Sequence, residues 1–132
     1  MPPELIPIQI AVEPSGNARP LLHEVAELLK RLLETGEPST IDLSALPLNP
    51  ADLDWLQTRL GEGEVSCQVQ ANGESTLDET ACRGVWWVTH RNERGSVVAQ
   101  FIEVAFVPEL LKAHPQDIEA GREQLEVLIS EL

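Results

Sequence analysis

The side chains that could do chemistry in this sequence are few and scattered. Cys67 and Cys82 stand 15 residues apart, without the close paired spacing by which zinc sites gather thiolates. His23, His90 and His114 are each isolated from the others. Cys67 alternates with Val65 and Val69, so it is expected to point into the core. Cys82 neighbours Arg83, which would lower the thiol pKa if the two side chains met; a small residue in a turn is the more economical reading. A metal or iron–sulfur centre built on Cys67, Cys82 and His90 would be short of ligands, unless a homodimer doubled the set. No resident metal or cofactor is assigned. Asp78, Glu79 and Glu103 are carboxylates within strand-like segments. Acid–base work needs two of them held together with their pKa values driven apart, whereas solvated strand faces explain them without any site. There is no phosphate loop, dinucleotide fingerprint or nucleophile elbow, and no catalytic residue is assigned.

Three local patterns are less generic. Leu60-Gly61-Glu62-Gly63-Glu64-Val65 is a helix stop and a Gly-rich turn entering a strand. Glu79-Thr80-Ala81-Cys82-Arg83-Gly84-Val85-Trp86 is a strand end and a connection. Ile102 to Pro108 is a strand running into a proline turn. Trp86 and Trp87 are adjacent, so on a strand they face opposite sides. One is expected in the core, and the other under a helix or at solvent, where an exposed Trp would anchor a partner. Gly61, Glu62, Gly63, Glu64, Glu79, Thr80, Gly84 and the Trp86/Trp87 pair are therefore the candidate binding residues, because binding groups concentrate in turns and strand ends carried by a rigid scaffold.

The elements that would position them follow from periodicity. Residues 5–12 alternate, with Pro7 restricting them to an edge strand or an arm. Leu21, Leu22, Val25, Leu28, Leu29, Leu32 and Leu33 form one face of a helix that opens at Pro20 and stops at Gly36. Ile41–Leu43 reads as a short strand. Asn49 and Pro50 open a helix that runs to Leu60 and buries Leu53, Leu56 and Leu60. Strand, helix and next strand could form a right-handed βαβ crossover. From Val65 the period is two, with Asn72-Gly73 as a type I′ hairpin turn and residues 74–79 as the return strand. Residues 85–91 and 97–106 complete an antiparallel meander. After Pro108 a helical turn reaches Ala113, and a last helix from Pro115 carries Ile118, Leu125, Leu128, Ile129 and Leu132 on its apolar side. The expected fold is α+β, a mixed, mainly antiparallel sheet with helices packed against it. The chain, 1–132, forms one domain with 1–17 as an extended N-terminal segment.

Composition limits the partners. Nine basic and 22 acidic residues give a formal charge of −13. Such a surface repels nucleic acid and anionic membrane and favours a protein partner with a basic patch. Apolar runs such as Val85–Val88 fall far short of a membrane span of about 20 residues. The first residues lack the basic and apolar regions of a signal peptide. The expected location is cytoplasmic, with both thiols reduced.

The patterns Leu-Gly-x-Gly-Glu-Val at Leu60–Val65, Glu-Thr-x-x-x-Gly-Val-Trp at Glu79–Trp86 and Ile-Glu-Val-x-x-Val-Pro at Ile102–Pro108, in this order and spacing, resemble the HupH/HyaF hydrogenase expression/formation family from about Ser39 to Asp117. The resemblance implies a single HupH-like domain without enzymatic activity. It also implies an accessory, chaperone-like role in assembling [NiFe] hydrogenase, with an immature hydrogenase subunit or another maturation factor as partner. Metal or iron–sulfur handling through Cys67 and Cys82 is the alternative function.

Overall fold

A computed structural model describes residues 13–132; the alternating segment at residues 5–12 lies outside them. The elements are α1 (Arg19–Thr35), β1 (Ser39–Asp42), α2 (Pro50–Leu60), β2 (Ser66–Gln70), β3 (Glu74–Glu79), β4 (Val85–Arg91), β5 (Val97–Val104) and α3 (Pro115–Ser130), with 3-10 turns at Leu43–Ala45 and Glu109–Leu111. No described helix is long and apolar enough to cross a membrane.

The five strands form one sheet in the order β1-β5-β4-β3-β2, and every pairing is antiparallel. The α+β class is as expected, but the sheet is antiparallel throughout and not mixed. Successive hairpins from β2 to β5 leave β5 with a free side, which β1 takes, pairing Ser39 with Val104 and Asp42 with Phe101. Thus β1 and β2 point the same way but occupy opposite edges. The connection through α2 crosses the three intervening strands instead of forming a βαβ unit with a paired neighbour.

Sidedness follows from the pleat. On one face Val85, Trp87, Ile102, Val104 and Ile41 meet Leu21, Val25 and Leu32 of α1 and Leu56 and Leu60 of α2. On the other, Leu77, Trp86 and Val88 pack with Cys67, Val69, Phe101 and Leu111. Leu33, read as part of the α1 core face, is 80% exposed; the buried stripe is narrower than the seven-leucine-and-valine pattern. α3 buries none of its residues. Its expected apolar side, Ile118, Leu125, Leu128, Ile129 and Leu132, is at least half exposed, so this helix forms without packing on the sheet. Arg122 supports it locally, paired with Glu119 and Glu126 one turn to either side.

Asp52 ties the chain before α1 to the start of α2. Asn49 caps α2, its side chain accepting from Asp52 N at 2.8 Å, and the Asp52 carboxylate in return accepts from Asn49 N at 2.9 Å. The same carboxylate accepts from Ser15 N at 2.8 Å and from the Ser15 hydroxyl at 2.7 Å. The Ser15 hydroxyl foremost, then the Asn49 N–H, hold the Asp52 carboxyl below its ordinary value of 3.8. Residues 13–17 are therefore fastened to the domain by named bonds, including Asn17 Nδ2 to Pro47 O at 2.9 Å.

The hairpin at Asn72-Gly73 is present, with φ of 53° and 125° at the two residues. The register closes at Gln70 opposite Glu74, so the connection is the three residues Ala71–Gly73 and not a two-residue type I′ turn. A Cβ at Gly73 would also lie 2.2 Å from Arg91 O, so the neighbouring strand end, and not turn chemistry alone, demands glycine here.

Two outcomes are expected. Gly73→Ala lowers stability by about 1–3 kcal/mol in urea unfolding. Gly95→Ala, which also has positive φ but nothing within 4 Å of the added carbon, costs about 1 kcal/mol; equal losses would remove the role of Arg91. Because folding lowers the Asp52 pKa, its stabilisation is complete above the unfolded value and is lost as pH falls through the folded one. Asp52→Asn should lower Tm at pH 7 and flatten the loss of Tm below about pH 4.

Candidate acidic groove at the end of helix α2

α2 stops because Gly61 takes φ of 70° and its N–H closes on Gln57 O at 2.9 Å. The chain then turns across the end of β3. Gly63 N donates to Glu79 O at 2.8 Å, and Ala81 N to Leu60 O at 2.9 Å. Glu64 N donates to Glu79 Oε1 at 3.2 Å. A Cβ on Gly63 would meet Thr80 O at 2.5 Å and Glu79 Oε1 at 2.6 Å. Glycine is required at position 63 by close backbone approach and not by a left-handed φ. The Gly-rich turn and the Glu79–Thr80 segment, predicted separately, are thereby locked together.

Between them lies a groove of about 600 Å³. Gln57, Thr58 and Leu60 of α2 form one wall and Gly61, Glu62 and Gly63 the rim. Val65, Ser66, Asp78, Glu79, Thr80 and Trp87 complete it from the sheet. Ser66 and Asp78 face each other across β2 and β3, and Asp78 is directly opposite Trp87. The Ser66 hydroxyl donates to Asp78 Oδ1. The lining holds three carboxylates, Glu62, Asp78 and Glu79, and no basic side chain. Glu64 sits outside it, 3.7 Å from Arg83, with both side chains largely exposed.

Neither tryptophan is exposed. Trp86 is 6% and Trp87 3% accessible, which corrects the expectation of a surface anchor: both faces of β4 are covered, so opposite-pointing neighbours are both enclosed. Trp86 belongs to the face away from the groove and donates Nε1–H to Ala105 O at 3.2 Å. Trp87 lines the groove, and its Nε1 is buried without an acceptor, alone in this among the buried side-chain nitrogens and oxygens of the described residues.

The other candidates separate by role. Thr80 is 3% exposed; its hydroxyl lies 3.0 Å from Cys82 O and 2.9 Å from Val85 O, and accepts from Cys82 N at 3.2 Å. It shapes the β3–β4 connection and reaches the groove only as lining. Gly84, at φ 91°, accepts from Ala105 N at 2.9 Å and lies close under Leu29 of α1, outside the groove. Glu103 accepts from Glu109 N at 2.8 Å, capping the turn after β5. In the register Glu79 and Glu103 lie on either side of Trp86, about 10 Å apart by two strand spacings, and do not form a pair. Cys67 packs half-buried beside Leu77, whereas Cys82 is exposed in the β3–β4 connection. His90 contacts the Ser75 hydroxyl at 2.6 Å and the edge of Phe101. Among the described residues no three His, Cys, Asp or Glu side chains gather as a ligand group.

Gln57, Thr58 and Ser66 were not anticipated as lining residues. The placement of Ser66 and Asp78 opposite each other follows from the three-residue turn, which shifts the expected register by one and exchanges faces; the α2 contribution needed the crossover.

Residues 16–132 match the family described as HupH hydrogenase expression protein, C-terminal conserved region, and the chain belongs to that family. The hydrogenase expression protein HupH from Thiobacillus denitrificans ATCC 25259, a solved structure, is 60% identical, with a TM-score of 0.87 over 90% of this chain and 99% of that one. The hydrogenase expression/formation protein HoxQ of Azotobacter vinelandii is 33% identical over 121 residues, 89% of this chain and 43% of its own. The hydrogenase-1 operon protein HyaF of Escherichia coli (strain K12) is 27% identical over 109 residues, 83% of this chain and 38% of its own. The chain thus spans about two-fifths of these curated relatives, and an accessory role in hydrogenase formation is what their names support.

The Thr80 geometry carries its own test. Thr80→Val keeps the shape, strands the Cys82 N–H and removes the hydroxyl donor. It should cost about 1–3 kcal/mol, while Glu62→Gln on the rim stays within about 0.5 kcal/mol of the parent. Guanidinium unfolding of the two variants makes the comparison, and a silent Thr80→Val would show that the connection is held by other bonds.

Proposed function

We propose that this domain is a non-catalytic, chaperone-like accessory factor for [NiFe] hydrogenase, working in the cytoplasm, and that the α2 groove receives an immature hydrogenase subunit or another maturation factor. The observation that carries the reading is the convergence of Gly61–Gly63 with Glu79 and Thr80 around one cavity in a chain belonging to a hydrogenase expression family. The groove has the dimensions of a binding site, and its carboxylates complement a basic partner. Charges arranged in this way raise association rate and selectivity more than raw affinity. Metal handling through Cys67 and Cys82 draws no support from their placement, one thiol half-buried on β2 and the other at the surface.

The test is in cells that depend on this protein for hydrogenase activity. A Glu62→Gln, Asp78→Asn double variant should fold with unchanged Tm yet reduce active hydrogenase; in pull-downs it should recover less partner than the parent at low salt, and its recovery should fall less as salt rises. Full hydrogenase activity from the folded double variant would exclude the groove as the partner site.

A further inference from the structure

β2 is an edge of the sheet, hydrogen-bonded only to β3 among the described residues. Natural edge strands are commonly blunted by Lys, Pro or a bulge. β2, Ser66-Cys67-Gln68-Val69-Gln70, carries none of these, and its register with β3 is unbroken from Ser66↔Asp78 to Gln70↔Glu74. The bonds Glu79 N to Val65 O and Ala71 N to Gly73 O bracket the ladder. In an antiparallel pair, hydrogen-bonded and non-hydrogen-bonded positions alternate. Cys67 and Val69 therefore bond to β3, and the N–H and C=O groups of Ser66, Gln68 and Gln70 point away from it. These three residues are exposed.

The free edge begins at the groove: Val65 and Ser66 are lining residues, so the N-terminal end of β2 borders the cavity. The cavity presents Glu62, Asp78 and Glu79 without a compensating base. A Lys or Arg side chain supplies the missing positive charge.

Resting on the binding role argued above, we propose that the partner is captured as an extended basic peptide segment. It adds to β2 as a further strand and places a Lys or Arg in the groove. Main-chain bonds to Ser66, Gln68 and Gln70 provide affinity, and the groove provides selectivity.

The probe is a ten-residue peptide of alternating Thr and Lys, with a Thr/Glu peptide and a Thr/Lys peptide N-methylated at alternate residues as comparators. They are tested against the purified full chain by fluorescence anisotropy and amide exchange. The Thr/Lys peptide should bind and slow exchange at Ser66, Gln68 and Gln70, and the two comparators should bind at least about tenfold more weakly. Gln68→Pro removes an outward N–H while sparing the ladder to β3; it should weaken binding about tenfold, the loss of roughly 1.4 kcal/mol. Glu62→Gln with Asp78→Asn, which leaves β2 intact, should remove most of the preference for Lys over Glu. Equal binding of all three peptides, or binding without protection at those three amides, overturns the proposal. So does protection of the three amides in the free protein: if independent of concentration, the chain's own N-terminal segment holds the edge, and if concentration-dependent, a second copy does. These outcomes leave the in-cell result for the groove variant untouched, so strand capture and the broader binding role fail separately.

Discussion

Two adjacent tryptophans on a central strand impose the main constraint on this molecule. Trp86 and Trp87 must point to opposite sides of β4, and both are almost wholly enclosed. A sheet solvated on one face would leave one of them in water. The chain meets the constraint with two unequal cores. Helices α1 and α2 cover Trp87 with Val85, Ile102 and Val104, while a smaller cluster around Leu77 and Val88 surrounds Trp86. The positions of β5, β3 and the two covering helices are all referred to β4, and the groove exists because the helical cover ends beside Trp87.

The cover ends where backbone meets backbone. At Gly63 there is no room for a side chain, since Thr80 O and the Glu79 carboxylate occupy the space. That approach draws the turn after α2 down onto the end of β3 and sets Glu62 beside Asp78 and Glu79 at the cavity. The carboxylates keep company without a basic neighbour, in a chain whose formal charge is −13. The groove is the place where general acidity becomes a directional feature.

α3 stands apart from this economy. Its sequence is amphipathic, yet none of its residues is buried. The helix is maintained by its own hydrogen bonds and by Arg122 between Glu119 and Glu126. It lies within the region matched by the HupH family.

Local chemistry was sufficient to read most elements directly from the residues. Pro20 and Gly36 bounded α1, the Asn49-Pro50 pair opened α2, and Asn72-Gly73 turned the hairpin, because caps and turns depend on a few neighbouring backbone groups. The alternation through β2 also showed which of its own side chains share a face, but not their partners on β3, because the three-residue turn shifts the register by one. What lay beyond the sequence was long-range. Nothing local told β1 to pair with β5 across the sheet instead of sitting beside β2. Nor could helical periodicity tell that Leu33 and the apolar side of α3 would stay uncovered, since a period marks a face but not what lies opposite it. The same holds for the site: the glycines and glutamates were recognisable as unusual, but their union with Gln57, Thr58 and Asp78 around Trp87 was decided by the crossover of α2. Tertiary structure alone settled that both tryptophans are buried, because whether a side chain is enclosed depends on which elements the remaining chain lays over each face.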